Sequence, residues 1–177
     1  MPTGSDKIEL SEHELREIAG YAADCALGHC RSSNRLFLLT RAVATPSMRH
    51  TLSLGGGPRT RALRKSGWAA YRAAIEAASP AAVDAARAAS HAAGAAYLHP
   101  KASAHQVKHI LGAAAYAARA EELASGEDQR VSAGTLEWAR HHAPTAVTAV
   151  LGRLPAAPPG GGRVGEFIRD LDAALRA

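Results

Sequence analysis

The sequence predicts an all-α protein: a single-domain helical bundle of about six to seven helices with no significant sheet. Three observations carry this. Apolar residues recur mostly at three- and four-residue steps, the period of helices with one buried face. Aromatic residues make up only 5% of the chain against a hydrophobic fraction of 47%, and alanine supplies the difference. Alanine-rich sequence suits closely packed helices and suits a sheet badly. The periodic runs are also separated by short Pro-, Gly- and Ser-containing connections, as in bundles. A chain of 177 residues is expected to form one domain over 1–177 and to bury most of its apolar surface without disulfide staples.

Residues 1–10 are polar and are expected to be flexible. Ser11-Glu12-His13-Glu14 reads as a capping box, in which serine caps and the glutamate three residues on reaches back. The helix it opens is expected over 12–28, with Leu15, Ile18, Ala19, Ala22, Ala26 and Leu27 inward. Residues 29–57 read as an irregular segment around one short helix near 33–43. The apolar run Leu36–Leu39 is followed by Thr45-Pro46-Ser47, and Gly55-Gly56-Gly57 closes the segment. The triple glycine lacks the G-x-x-x-x-G-K-[ST] order and no strand precedes it, so it is not a phosphate loop.

A helix is expected over 58–78, with Trp68 as a core anchor. Ser79-Pro80 starts another, since proline at a first helical position loses no hydrogen bond. That helix should run to Leu98, because the residue before Pro100 avoids helical geometry. Ser103 is expected to cap a rod over 103–124, roughly 33 Å long at about 1.5 Å per residue. Its apolar face is Val107, Ile110, Leu111, Ala114, Ala115, Ala118 and Leu123. Gly126 is its stop signal. Ser132 should cap the next helix, which Pro144 breaks and which resumes over 145–154. Residues 155–163 form a Pro/Gly linker to a last helix over 164–176.

Gly112-Ala113-Ala114-Ala115 has almost no side-chain bulk. A glycine inside a helix costs about 1 kcal/mol relative to alanine, so a close helix–helix approach is expected there, with Ala92–Ala96 as the matching surface. His105 and His109, four apart, share one helical face. Such a pair can supply two imidazole ligands to a divalent metal, with His91 and His99 as possible additions. The same pair can instead form hydrogen bonds at a helix–helix seam. The intervening residues are Gln106, Val107 and Lys108, so the glutamate of a metalloprotease H-E-x-x-H helix is absent.

The net charge is +5 and the pI is near 9.6. The one dense basic cluster is Arg59, Arg61, Arg64 and Lys65. It has no aromatic platform or reading helix beside it, so nucleic acid is not the expected partner. The two cysteines, Cys25 and Cys30, lack the second pair of a zinc ribbon. The start, MPTGSDKIEL, does not read as a signal peptide, and no apolar run reaches the roughly 18 residues of a membrane span. A cytoplasmic protein with reduced thiols and no membrane partner is expected.

The strings GPRTRALRKSGWAAYRAA (57–74), ARAASHAAGAAYLHP (86–100), AHQVKHILGAAAYAARAEEL (104–123) and GGGRVGEFIRDLDAALR (160–176) resemble the Imm-5-like family of bacterial immunity proteins. The motif that matches best comprises Ala104, His105, His109, Gly112, Ala113, Ala114, Tyr116 and Ala117. The resemblance covers most of 8–28 and 57–176 and departs in 29–56. It implies a small helical protein that neutralises a toxin by non-covalent binding, and it carries over no catalytic residues. The alternative is a metal- or small-molecule-binding helical protein built on His105 and His109, with an enzymatic role left open. Smooth alanine faces would also allow a homodimer.

Overall fold

The Ser11 hydroxyl accepts from the Glu14 N–H at 3.1 Å, and the Glu14 carboxylate accepts from the Ser11 N–H at 2.8 Å. This reciprocal box starts helix α1, Glu12–Leu27. A computed structural model describes residues 7–27 and 79–177, together with positions 61, 65, 68, 69, 72, 75 and 76, each of them helical. The short helix near 33–43 and the irregular segment 29–57 lie outside the described residues. Five further helices follow: α2 (Pro80–Ala95), α3 (His105–Ala124), α4 (Gln129–His141), α5 (Thr145–Gly152) and α6 (Gly162–Arg176). Among the described residues there is no strand, as an all-α bundle requires. None of the described helices is long and apolar enough to cross a membrane.

Helix α3 is the central rod. Its most extensive interface is with α2, and α1, α4 and α6 also pack on it. Helix α5 is held between α1 and α6. The core is largely alanine: Ala88, Ala89, Ala92 and Ala93 of α2 share one buried cluster with Ala113–Ala115, Ala117 and Ala118 of α3, and Ala85 and Ala120 form a second. Ile18, Val107, Ile110, Leu111, Val147, Val150 and Leu151 add most of the bulk. Tyr21 ties α1 to α4 by donating its buried hydroxyl to the Ala139 carbonyl at 3.1 Å. Cys25 is buried and free, and desolvation pushes its thiol up to about 12. Cys30 is outside the described residues.

Several expected boundaries move. Helix α2 ends at Ala95, not Leu98, because tight turns take over: the Tyr97 N–H bonds the Gly94 carbonyl at 2.9 Å and the Leu98 N–H bonds the Ala95 carbonyl at 3.2 Å. Helix α3 begins at His105, two residues after Ser103, whose hydroxyl accepts only a long 3.4 Å bond from the His105 N–H. Asp128, not Ser132, caps α4, accepting from the Arg130 N–H at 3.0 Å. Ser132 is instead buried one turn inside. Trp68 is 64% exposed and anchors no core. Residues 7–10, expected to be loose, are held: the Ile8 N–H bonds the Pro100 carbonyl at 3.3 Å and Arg153 bonds the Glu9 carbonyl at 2.6 Å.

The 155–163 segment is strapped to α6. The Ala157 N–H donates to the buried Asp172 carboxylate at 2.9 Å, and Arg176 donates to the Leu154 carbonyl at 3.0 Å. Gly160, Gly161 and Gly162 all take positive φ, between 57° and 90°, where glycine alone is unstrained. The same turn presses against α6 at Gly165, where a Cβ would lie 1.9 Å from the Gly160 carbonyl oxygen. Gly165→Ala should therefore lower stability by on the order of 2 kcal/mol or more, read as a drop in Tm. Gly134→Ala, on exposed α4 with nothing within 4 Å of its Cβ, should raise stability by about 0.5–1 kcal/mol.

Candidate functional site

The α2–α3 seam holds the histidines that the sequence singles out. On α2, His91 points across to α3 and its ring lies over Gly112. A Cβ at position 112 would come within 2.7 Å of His91 Nδ1 and 3.0 Å of its Cγ. The missing side chain of Gly112 is thus the seat of the imidazole. One turn further along α3, Tyr116 stacks on the same ring with centroids 5.0 Å apart and planes 23° apart. The Arg87 guanidinium lies 5.7 Å from the Tyr116 ring centre, at cation–π distance. Gly112 and Tyr116 are four residues apart, so the seat and the stacking plate share one face of α3.

Burial sets the charge state of His91. Desolvation, reinforced by Lys108, His109 and Arg87, pulls its pKa down to about 4. His109 moves the same way, through desolvation first and then Lys108, His99 and His105. Among the described residues, the charged and titratable groups acting on the two rings are Lys108, Arg87 and other imidazoles. At neutral pH both rings are neutral and can accept as well as donate hydrogen bonds.

The structure divides the four histidines. His105 and His109 are exposed on α3, and the helical spacing leaves them on one face as expected. His91 turns away into the seam, its ring centroid 6.5 Å from that of His109 and tilted by 40°. His99 is exposed in the loop after α2, and its backbone N–H reaches the Gln106 side chain at 3.4 Å. Among the described residues no three His, Cys, Asp or Glu side chains group to hold a metal.

The sequence reading missed a second polar centre. Glu122 is 1% exposed. Its carboxylate accepts from Arg119 Nη1 at 2.5 Å, from Arg163 Nε and Nη2 at 3.1 Å each, and from the Ser132 hydroxyl. Burial acts to raise its pKa, but the bonds from Arg163, Ser132 and Arg119 outweigh it and hold the carboxyl below the usual range. Its neighbour Glu121, also buried, accepts from the Thr135 hydroxyl. The signal for both was periodic: Leu111, Ala115, Ala118 and Glu122 continue one buried stripe in steps of four, three and four.

Beside this centre an open cleft of about 530 Å³ runs along the start of α2 and the end of α3, lined by Pro80, Val83, Asp84, Arg87, Arg119 and Leu123. Burial raises the Asp84 pKa, opposed by Arg87 and Arg119. Arg87 is 3.6 Å from Asp84, and Arg119 is committed to Glu122 and Glu127. The cleft is lined by charge that the fold itself uses. No protein-family model matches the chain, and neither a curated protein nor a solved structure matches it.

Two predictions follow from the His91 seat. Gly112→Ala should destabilise by about 1–3 kcal/mol through overpacking, despite alanine's better helix propensity. Adding His91→Ala should recover part of that loss, and a double-mutant thermal-denaturation cycle reads the coupling. The second prediction concerns pH. The unfolded chain protonates His91 near 6.5, whereas the folded protein resists protonation until about 4. Stability is therefore full above pH 6.5 and is lost as pH falls towards 4, by on the order of 2 kcal/mol. Denaturant melts across that range should show the slope, and His91→Gln should reduce it.

Proposed function

We propose that this chain acts by binding another protein rather than by turnover, as an immunity-type inhibitor that neutralises a bacterial toxin in the cytoplasm. The observation that carries this reading is the placement of its large apolar side chains. In a protein whose core is built mainly from alanine, Trp68 and Ile75 stand 64% and 71% exposed on helical sequence. Tryptophan is among the side chains that contribute most to protein–protein affinity when a partner covers them.

Two further points support it. Two buried carboxylates of the described bundle, Glu122 and Asp172, are tied to arginines of the same chain, as in a rigid scaffold. The quoted strings around Trp68, His91, His105 and Gly112 resemble the immunity family.

The reading is tested by co-expressing the full chain with the products of genes adjacent to its own and scoring growth. Rescue of growth against one toxic neighbour, with a purified complex of fixed stoichiometry, is the expected result. Toxicity that the chain never relieves, with no complex formed with any of these products, removes the proposal.

A further inference from the structure

The imidazoles of His91 and His109 lie on either side of the α2–α3 seam with their ring centroids 6.5 Å apart. A direct N–H···N bond of about 2.9 Å would bring the centroids to within roughly 5 Å, so the two rings do not bond one another. A tetrahedral zinc ion about 2.1 Å from a nitrogen of each ring would also draw them to roughly 5 Å. One oxygen atom held about 2.8 Å from a nitrogen of each, at a near-tetrahedral angle, spans roughly 6.4 Å. The observed separation fits a single shared oxygen. Among the described residues neither ring hydrogen-bonds to the protein. His91 is instead held by its seat over Gly112 and its stack on Tyr116. A neutral imidazole carries one N–H donor, so each ring holds a donor that the fold does not use.

The surroundings set the charge of the group that brings this oxygen. Lys108 acts on both rings, Arg87 on His91, and His99 and His105 on His109. Arg87 is shared with Asp84 at 3.6 Å, whereas Lys108 makes no ion pair among the described residues. Outside the described residues Asp6 is the only acid, and every other charged side chain is an arginine. We infer that His91 and His109 form a binding site for a carboxylate, with each imidazole donating one N–H to it and Lys108 supplying the opposite charge. A carboxylate is acceptor-only and has lone pairs for both donors. A metal cation would meet Lys108 and Arg87 as like charges. A free organic acid and an Asp or Glu side chain of a protein present the same group, so the site stands independently of the protein-binding reading.

The test is histidine NMR of the full chain near neutral pH, titrated with sodium acetate at constant ionic strength against a chloride control. The expected result is a saturable shift of the His91 and His109 ring resonances, with a dissociation constant on the order of millimolar, and none at His141 or His142. His109→Ala should abolish the saturation, and Lys108→Gln should weaken binding by about threefold or more. Both side chains are exposed, and circular dichroism confirms that each variant is folded. A glutamate capped as its N-acetyl amide separates the two sources. Binding at least about tenfold tighter than acetate assigns the site to a protein side chain, and equal or weaker binding assigns it to a free acid. Shifts that are absent, or that grow without saturation at every histidine, overturn the inference. So does inorganic phosphate or zinc that saturates the same two rings more tightly than acetate does.

Discussion

The bundle depends on how closely α2 and α3 approach. Alanines on both helices bring the backbones together, and Gly112 opens a gap that the His91 ring fills. Three of the other described helices pack on that pair: α1 lies against both, and α4 and α6 lie against α3. An alanine interface has a weakness, however. Each methyl buries little area, at about 25 cal/mol per Å², and smooth surfaces define sliding and rotation poorly. The His91 ring, stacked on Tyr116 and set over Gly112, supplies the knob that a Leu or Phe would provide elsewhere.

Polar contacts set the orientation of the outer helices. Glu122 gathers Arg119 from its own helix, Ser132 from α4 and Arg163 from α6. A buried carboxylate costs desolvation, and the bonds it accepts must compensate. This arrangement is strongly directional: displacing α4 or α6 would leave a buried charge short of partners. The same logic recurs at Asp172, which holds the Ala157 N–H and Arg176, and at Arg153, which joins Glu14 and the Glu9 carbonyl. Residues 7–10 and the Pro/Gly linker are thereby fastened to a core that has few large side chains to hold them.

The helices were legible in the sequence because their periodicity and caps are local. Ser11 with Glu14, Ser79 with Pro80, and Gly126 at φ 80° all act where the residue pattern puts them. The Gly112 run was readable as a close approach because glycine in a helix needs a compensating contact. What fills the gap was not readable, since His91 reaches it from another helix. Ser132 was misassigned for a related reason. A serine before an apolar run looks like a cap, but one turn inside α4 it faces a carboxylate ten residues back along the chain. Trp68 was misread because size was taken to mean burial, and size alone does not say which face of a helix a side chain is on.

That last reversal bears on how such a bundle could bind. Association is weakened by any ordering that the surface must undergo. A bundle whose helices are fixed by close alanine packing and by arginine–carboxylate locks keeps its shape on binding, as pre-organised partners generally do. Large apolar side chains inside would add stability without affecting a partner. Trp68 and Ile75, at 64% and 71% exposed, present apolar surface to water, an unfavourable hydration that a covering surface would relieve. Small side chains and polar locks hold the fold, and the exposed apolar surface of these two residues is what the proposed binding role would draw on.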